Sequence, residues 1–577
     1  MSKRYTGLAA SPGIAVGVTW VMRKYELQIE RYMVDDPTTQ LKRLEQALEQ
    51  AKQDLIALAK RAREHIGDNE AAIFEAHQVF LEDADIIAEI QQLITMKRLN
   101  AEAAVHDVAQ QYMQELEEIQ DEYFRARASD LRDVTERVIR CLQGYTSSDT
   151  RLPGHPVVIV ADDLTPSDTV QLDKTLILGL VTVKGGPTSH TAILARSLGI
   201  PAVVSVPIAL NGVESRTPIV LDALDGMVIL DPDEEEQEAA RAKRVAWLEQ
   251  QSSHLALAHE PAVTLDGVQV EVSANVGSVD DVRDALRYGA EGVGLFRTEM
   301  LYLDRVSMPT EEEQYAIYQA AADLLNRLPM VVRTFDIGGD KPVPYIGNEN
   351  ELNPFLGWRG IRMMDKHEEM FEIQFRALLR ASVNADLRIM LPMVANLDEL
   401  EYARDVITRV QHDLVSAGIS VAERVQVGIM IEVPSAALMA DRFAPHVDFF
   451  SIGTNDLAQY TLAADRVNAR VSHLADAFHP AVLRLIAETI EAGHAHGKWV
   501  GLCGEFAGRP QAVPILLGLG LDEFSMAAIS IPTIKATIRT LRQADCKHFA
   551  QEVLRMTSPS EVRAACDQFL SEMAARV

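Results

Sequence analysis

The stretch VQVGIMIEVPSAALMADRFAPHVDFFSIGTND, residues 425–456, decides the fold predicted for the C-terminal half of the chain. Two short apolar runs, VQVGIMIEV and DFFSIG, flank a helical segment, which is the pattern of a β-α-β unit. The first run ends close to Glu432, and the second is followed by Asn455 and Asp456. Polar side chains directly after buried strands are typical of the active face of a parallel barrel. We therefore expect these three residues to meet at one edge of a sheet.

The same pattern repeats from Pro261 onward, where short apolar runs alternate with helical segments. Eight such runs are predicted as strands: Gln269–Val276, Gly292–Phe296, Met330–Phe335, Leu387–Met393, Val425–Val433, Asp448–Gly453, Trp499–Cys503 and Glu523–Met526. Eight strands that alternate with helices over about 315 residues predict a (β/α)8 barrel, the TIM-barrel fold.

Other strands of this predicted barrel also end in chemically useful side chains. Arg297 closes GVGLFR, Arg333 lies in MVVRTF, and Cys503 ends WVGLC. Two arginines at neighbouring strand ends are able to clamp phosphate and carboxylate groups, and Arg466 adds a third cation downstream. Glu432 and Asp456, which lie near the ends of neighbouring predicted strands, offer the oxygen ligands that Mg²⁺ prefers. Pairing of these acids with the arginines is the alternative that spacing leaves open.

The chain before Pro261 has a different character. Ile14–Met22 is predicted as a strand, and β-rich runs return after Pro153, whereas the segment between them is nearly free of breakers and has apolar residues at helical spacing. We predict a multidomain α/β protein with four parts. They are an α/β domain formed by residues 1–35 and 147–233, a helical subdomain inserted at 36–146, a helical linker at 234–260, and the barrel at 261–577.

Composition restricts the kind of partner. The 577 residues carry 84 acidic and 55 basic side chains, a net charge of −29, so nucleic acid and membrane surfaces are disfavoured as partners. The four cysteines are widely scattered, which fits reduced thiols better than a disulfide framework. The apolar stretch near the N-terminus is broken by Pro12, Gly13 and Gly17, so we predict a strand there and not a signal peptide.

The segment KGGPTSHTAILARSLGIPAVVS, residues 184–205, places a histidine at the start of a predicted helix. Gly185 and Gly186 allow close backbone approach, and Thr188 or Ser189 can cap the helix. The free N–H groups of a first helical turn favour an anion, so a phosphoryl group on the imidazole of His190 would be stabilised there. A capping-region histidine without chemistry is the alternative.

This segment resembles the phosphohistidine segment of Enzyme I of the bacterial phosphoenolpyruvate:sugar phosphotransferase system. The resemblance extends over essentially the whole chain, through SPGIA (11–15), ADDLTPSDT (161–169), GAEGVGLFRTE (289–299), RTFDIGGDK (333–341), NPFLGWRGIR (353–362), FFSIGTNDLAQYTLAADR (449–466), CGEFAG (503–508) and GLDEFSMAAISIP (520–532). One departure is Pro187, where many members of the family have arginine.

The resemblance implies a phosphohistidine swivelling domain and a role for each candidate residue. His190 would accept the phosphoryl group of phosphoenolpyruvate, supported by Thr169, and Cys503 would protonate the enolate left behind. Glu432 and Asp456 would bind Mg²⁺. The residues implied in substrate binding are Arg297, Arg333, Arg359, Asn455, Asp456 and Arg466.

The family also implies a protein partner. The inserted helices would dock HPr, the small phosphocarrier protein, and pass the phosphoryl group to one of its histidines in the first step of sugar uptake. A mixed apolar and acidic surface suits a basic partner. The residues expected to dock HPr are Glu75, His77, Leu81, Glu82, Asp83 and Asp85. A cytoplasmic homodimer, joined through the barrel and not inserted in a membrane, completes the expectation.

Two alternatives are weighed against this interpretation. A nucleotide-dependent phosphoenolpyruvate synthase or dikinase needs a large nucleotide-binding domain, whereas only 189 residues precede His190 and no GxxxxGK[ST] motif occurs. A regulatory relative without activity would not need the arginines, the two acids and Cys503 together.

Overall fold

A computed structural model of the chain describes most of its residues. They are 2–22, 29–65, 74, 77–78, 80–118, 122–144, 153–164, 168, 174–186, 191–192, 195–196, 199–303, 305, 307–339, 343, 345–346, 351, 353–466, 468 and 470–576. The chain divides into two compact units, Met1–Glu249 and Gln250–Val577. Each unit has its own buried core.

Among the described residues of the first unit, eight strands form one sheet. The strands are β1 (Lys3–Thr6), β2 (Leu8–Ser11), β3 (Ile14–Met22), β4 (Val157–Ala161), β5 (Ile177–Thr182), β6 (Ala202–Val204), β7 (Pro218–Asp222) and β8 (Met227–Leu230). Their order in the sheet is β1-β8-β7-β3-β4-β5-β6-β2. The long strand β3 joins an antiparallel half, through β7, to a parallel half, through β4.

In the part of the insertion that the structure describes, four helices can be bounded between β3 and β4. They are α1 (Pro37–His65), α2 (Ala84–Met96), α3 (Ala101–Glu118) and α4 (Glu122–Leu142). Apolar residues at helical spacing form a core of their own, in which Leu44, Ala51, Leu55 and Leu58 of α1 are buried. The sequence-based prediction of a helical insertion within an α/β sheet is therefore confirmed.

The second unit is a closed barrel of eight parallel strands. They are β10 (Gln269–Val276), β11 (Val293–Phe296), β12 (Pro329–Arg333), β13 (Asp386–Leu391), β14 (Gln426–Ile431), β15 (Phe449–Ile452), β16 (Trp499–Leu502) and β17 (Glu523–Met526). Pairing of β10 with both β11 and β17 closes the ring, and the short β9 (Ala262–Val263) adds to β10 in antiparallel fashion. The predicted (β/α)8 barrel is confirmed.

Helices connect these strands and cover the barrel. The helix that precedes the barrel is α5 (Glu234–Ala256), and those that follow are α6 (Val279–Arg287), α7 (Glu311–Leu325), α8 (Met364–Ala381), α9 (Leu397–Ser416), α10 (Pro434–Leu438), α11 (Ala440–Phe443), α12 (Thr454–Leu462), α13 (Pro480–Ala495), α14 (Val513–Leu519), α15 (Ile531–Arg539), α16 (Gln543–Val553) and α17 (Pro559–Ala574). No described helix is long and apolar enough to cross a membrane.

Several elements end earlier than the sequence pattern predicts, and for strand β13 and helix α5 a specific contact explains the difference. Strand β13 ends at Leu391 because Met393 adopts φ +59°, outside the β region, and turns its N–H toward Glu432. Helix α5 ends at Ala256 and not at residue 260. The buried ammonium of Lys535 there donates to the carbonyl oxygens of Ala258 and Glu260, which holds this segment as a turn.

Candidate active site at the barrel mouth

The strand register brings the predicted polar residues to one end of the barrel. Phe296 lies opposite Val332, so Arg297, which follows β11, and Arg333, which ends β12, lie at the same level on neighbouring strands. Ile431 lies opposite Ile452 in the same way, so Glu432 begins the loop beside the one that leads to α12. Side chains at the carboxyl ends of different strands therefore surround one mouth, where barrel enzymes place their chemistry.

Arg333 is held as a buried cation by two acids. The residue is 7% exposed, and its Nη2 atom donates to Glu299 Oε1 at 2.8 Å. Its Nη1 atom lies 3.4 Å from Asp336 Oδ2. Burial works against the charged form, but Glu299 and Asp336 raise the pKa of Arg333 above its ordinary value. The positive charge is thus fixed in position before any anion binds.

Arg297 and Arg359 differ in exposure. Arg297 is exposed and forms no ion pair with a described residue, so its guanidinium is available to an anion. Arg359 is 1% exposed and binds Asp336 in bidentate fashion, with Nε donating to Oδ1 at 2.9 Å and Nη2 to Oδ2 at 2.5 Å. Asp336 thus orients two arginines at once, an arrangement that favours fixed geometry.

Glu432 and Asp456 form a pair of buried carboxylates. Glu432 is 1% exposed, and its Oε1 accepts the N–H of Met393 at 2.6 Å. Burial, with Asp456 and Asp336 nearby, raises the pKa of Glu432 to about 8. Asp456 is 6% exposed, and its Oδ1 lies 3.4 Å from Arg466 Nη2. Negative charges that repel one another in a buried place fit the demand of a divalent cation.

The carboxylate pair does not form a complete protein cage for a metal. Among the described residues, no group of three or more histidine, cysteine or acidic side chains is arranged to hold a metal ion. Mg²⁺ is usually bound through one or two carboxylates, with water and substrate oxygens completing its shell. The residues present therefore fit this ion together with a phosphorylated substrate.

Cys503 follows β16 and faces the same mouth. The residue is 2% exposed, and its Sγ atom lies 3.8 Å from the carbonyl oxygen of Ile452. Burial raises the pKa of the thiol to about 11, so it carries its proton at neutral pH. A buried thiol that holds a proton near cationic side chains is suited to donate it to a carbanionic carbon.

Asn455 and Arg466 lie at the edge of this cluster. Asn455 is half-buried in the first turn of α12. The N–H of Arg466 donates to Gln459 Oε1 at 2.9 Å, and its guanidinium lies 5.6 Å from the ring centre of Phe355. The Arg466 guanidinium thus lies beside Asp456, and Asn455 precedes Asp456 in the first turn of α12.

Sequence reasoning overlooked three residues that hold the cluster together: Glu299, Asp336 and Gln374. Gln374 of α8 is fully buried, accepts the N–H of Phe335 at 3.0 Å and donates to Thr298 Oγ1 at 3.2 Å. Thr298 in turn donates to the carbonyl oxygen of Arg333 at 2.9 Å. The sequence does contain a signal for Gln374: a glutamine on the apolar face of an amphipathic helix is expected to be buried and to need hydrogen-bond partners.

Replacing Gln374 by leucine is expected to destabilise the barrel by about 2 kcal/mol, because the Phe335 N–H would lose its buried partner. Urea unfolding of the full chain, followed through the barrel transition, measures this change. The exposed Gln568→Leu is the matched control and should leave the transition unchanged. Equal stability of the two variants would show that Gln374 does not hold this loop.

The histidine segment and part of the docking segment lie outside the described residues. These include His190, Thr169, Pro187 and Glu75. Helical backbone is present at residues 191–192 and 195–196, within the helix predicted from the sequence.

The remaining docking residues differ in exposure. His77 is fully buried, with Nε2 3.3 Å from Asp130 Oδ1, and Leu81 is 6% exposed, so neither belongs to an accessible surface. Glu82, Asp83 and Asp85 are exposed. The side chain of Asp83 caps α2 by accepting the N–H groups of Asp85 and Ile86.

Family comparisons agree with the barrel and with the sheet that precedes it. The chain matches the model of the PEP-binding domain of PEP-utilising enzymes at residues 251–543, that of their N-terminal domain at 6–127, and that of their mobile domain at 153–226.

Named relatives match nearly the full length. The chain is 46% identical over 97% of its length to the phosphoenolpyruvate-protein phosphotransferase of Priestia megaterium, and covers 98% of that protein. It is 43% identical over 99% of its length to the protein of the same name from Listeria monocytogenes, and covers 100% of it. An Enzyme I protein solved by NMR is 36% identical over 42% of this chain and 99% of its own, with a TM-score of 0.39.

Proposed function

The chain belongs to the PEP-utilising enzymes, among the phosphoenolpyruvate-protein phosphotransferases, and from this premise we propose that His190 takes the phosphoryl group and passes it to a histidine of HPr. The protein is a transferase that uses phosphoenolpyruvate as donor and a protein as acceptor. The observation that carries the proposal is the barrel mouth, which joins exposed and buried arginines, two buried carboxylates and a protonated thiol.

The arginines match the charges of the donor. Phosphoenolpyruvate carries a phosphate and a carboxylate, and guanidinium groups bind both through paired hydrogen bonds. Arg297 presents an unpaired guanidinium, and Arg333 presents one whose Nε atom has no hydrogen-bond partner among the described residues. In the proposal these two clamp the substrate, while Arg359, bound to Asp336, keeps the clamp in place. Asn455 and Arg466 complete the binding site.

Glu432 and Asp456 would hold Mg²⁺, which, when bound, neutralises charge on the transferring phosphoryl group. The chain itself supplies the remaining functions. The arginines orient the phosphate toward the attacking nitrogen of His190, with Thr169 fixing the imidazole. His190 belongs to the first unit and the clamp to the second, so the proposal requires His190 to reach the mouth during transfer.

Cys503 completes the donor reaction. Transfer of the phosphoryl group leaves the enolate of pyruvate, whose terminal carbon needs a proton before release. The thiol holds that proton at neutral pH, because burial raises its pKa to about 11. The S–H bond breaks as the C–H bond forms, and pyruvate leaves with Cys503 as a thiolate.

The acceptor side of the proposal rests on acidic residues at the start of α2. Glu82 and Asp85 are exposed there, and Glu82 also pairs with Lys52 at 2.5 Å. HPr with a basic surface would be attracted to them. A cytoplasmic location agrees with four free cysteine thiols, and a homodimer joined through the barrel belongs to the same proposal.

Asp85→Lys is expected to raise the KM for HPr by about tenfold, because it reverses one charge at the docking surface. The rate of self-phosphorylation from phosphoenolpyruvate should not change. Steady-state kinetics at two salt concentrations measure the effect, which salt should weaken. The exposed barrel residue Glu488 supplies the control, Glu488→Lys. Similar KM values for both variants would place the docking surface elsewhere.

A nucleotide-dependent synthase or dikinase is the second candidate, and a labelling experiment separates it from the first. The chain is incubated with labelled ATP or with labelled phosphoenolpyruvate. Label from phosphoenolpyruvate alone supports the phosphotransferase, whereas label from ATP without phosphoenolpyruvate would refute it.

A further inference from the structure

The barrel interior beneath Cys503 is polar on one side. Register pairs place Ser451, Gly501, Glu523 and Glu271 side by side on β15, β16, β17 and β10. Interiors of such barrels are usually filled by branched apolar side chains, as they are on the opposite side by Leu295, Val331, Met390 and Met430. The row formed by Ser451, Gly501, Glu523 and Glu271 contains two carboxyl groups and a serine, which is exceptional for a barrel interior.

Cys503 lies one level above this row. It follows Gly501 by two residues, and side chains two residues apart along a strand point to the same face, about 7 Å apart. Ser525 and Ser273 follow Glu523 and Glu271 by the same interval and lie opposite each other. The polar row thus continues upward toward the thiol.

The carboxyl group of Glu523 occupies the space left by two glycines. A methyl group added at Gly501 would collide with Glu523 Oε2, and one added at Gly294 would collide with Glu523 Oε1. Glu523 is 3% exposed, and its Oε2 has no hydrogen-bond partner among the described residues. Burial of an unpaired carboxylate is costly, so the neutral acid is the form that suits this place.

Several charged groups surround the acid and decide its protonation. Burial and the neighbouring Glu271 raise the pKa of Glu523 to about 8, and Arg388 on β13 opposes them. Burial also raises the pKa of Glu271, while Ser273 donates to its Oε1 at 2.9 Å. The other charges near the pair are those of Asp386, Glu291 and Asp522. Two close carboxyl groups titrate as a unit and retain a proton near neutral pH.

Cys503 needs such a proton after each turnover. The thiolate left by pyruvate formation is buried and has little access to water. A carboxylic acid with a pKa of about 8 protonates a thiolate whose conjugate acid has a pKa of about 11, because the proton moves to the stronger base.

We propose that Glu523, sharing a proton with Glu271, is the residue that returns Cys503 to its thiol form after each turnover. The inference rests on the proposed function. Cys503 lies one level above Glu523, so the proton passes through the hydroxyl group of Ser525, which the register places beside the thiol. The O–H bond of Glu523 breaks as the Ser525 oxygen takes its proton, the Ser525 hydroxyl gives its own proton to the thiolate to form the S–H bond of Cys503, and the negative charge stays on the carboxyl pair. Glu271, which is half-buried, then takes a proton from solvent and restores the pair.

The test separates the first turnover from later ones, because Cys503 begins as a thiol. Wild type, Glu523→Gln and Glu271→Gln are mixed rapidly with phosphoenolpyruvate and Mg²⁺, and the first equivalent of pyruvate is timed. Steady-state pyruvate formation is then measured with saturating HPr. The matched control is Glu311→Gln, which removes a carboxylate that binds Arg376 and Arg380 outside the barrel interior.

We expect the first turnover of Glu523→Gln to stay within about twofold of wild type, and its steady-state rate to fall about tenfold or more. Glu271→Gln should show the same split, and the control should show none. The wild-type steady-state rate should decline as the pH rises above about 8, where the acid loses its proton, and this inflection should disappear in Glu523→Gln.

An unchanged steady-state rate would overturn the inference. Equal loss of the first and later turnovers would also overturn it, because that result indicates a structural role. If Glu523→Gln does not fold, Glu271→Gln decides the question: an unchanged first turnover with a reduced steady-state rate supports the inference, and any other result overturns it. Failure of the proposed function is distinguishable, since wild type would then form no phosphoenzyme from phosphoenolpyruvate.

Discussion

His190→Ala is expected to abolish both labelling by phosphoenolpyruvate and the release of pyruvate. The imidazole is the proposed nucleophile, and without it the phosphoryl group has no acceptor in the chain. The barrel should still bind the donor, because its arginines and carboxylates lie in the other unit. We therefore expect the variant to bind phosphoenolpyruvate without becoming phosphorylated. Labelling measures phosphorylation, and calorimetric titration measures binding of phosphoenolpyruvate.

The control for this change is His155→Ala, which removes an exposed histidine of the same unit and should keep full labelling. Acid-labile phosphate on the His190→Ala chain would remove His190 from its proposed role. Loss of donor binding in that variant would indicate that the substitution disturbs more than the nucleophile.

Cys503→Ala is expected to slow pyruvate formation by about 100-fold or more, a typical contribution of general acid catalysis. Phosphoryl transfer from phospho-His190 to HPr should continue at the wild-type rate, because no carbon is protonated in that step. The variant, once phosphorylated slowly to completion and freed of phosphoenolpyruvate, is mixed with HPr, and both half-reactions are timed separately.

Cys566→Ala supplies the matched control, since Cys566 is buried in α17 and its thiol has no part in the proposed chemistry. It should keep both rates. A Cys503→Ala chain that fails equally in both half-reactions would contradict the assignment of the thiol as proton donor. Normal pyruvate formation would contradict it as well.

The barrel was predictable because its strands are short, buried and separated by helices. The predicted bounds of Gln269–Val276 and Glu523–Met526 agree with the structure, and Gly277 marks the end of the first run while Asp522 marks the start of the second. The predicted end of the fourth strand at Met393 was wrong, because the φ angle of +59° at Met393 and its bond to Glu432 depend on a neighbouring strand. Local pattern contains no information about that contact.

The site was predictable in its arginines and acids but not in their partners. Arg333 stands out at a strand end, whereas its ion pairs with Glu299 and Asp336 join segments that only the closed barrel brings together. Glu523 begins a strand and gave no signal of the glycines that make room for its carboxyl group. His77 belongs to a run of residues with helical spacing, but the sequence does not show which face of that helix packs inward. In the structure His77 is buried and lies close to Asp130.

The central claim is that phosphoenolpyruvate phosphorylates this chain at His190. The wild-type protein is incubated with labelled phosphoenolpyruvate and Mg²⁺ in the absence of nucleotide, and the label is located by peptide mapping at neutral or alkaline pH. The claim predicts about one acid-labile phosphoryl group per chain, in the peptide that contains His190, and its loss when HPr is added. Acid-stable label, label in another peptide, or no label would contradict it.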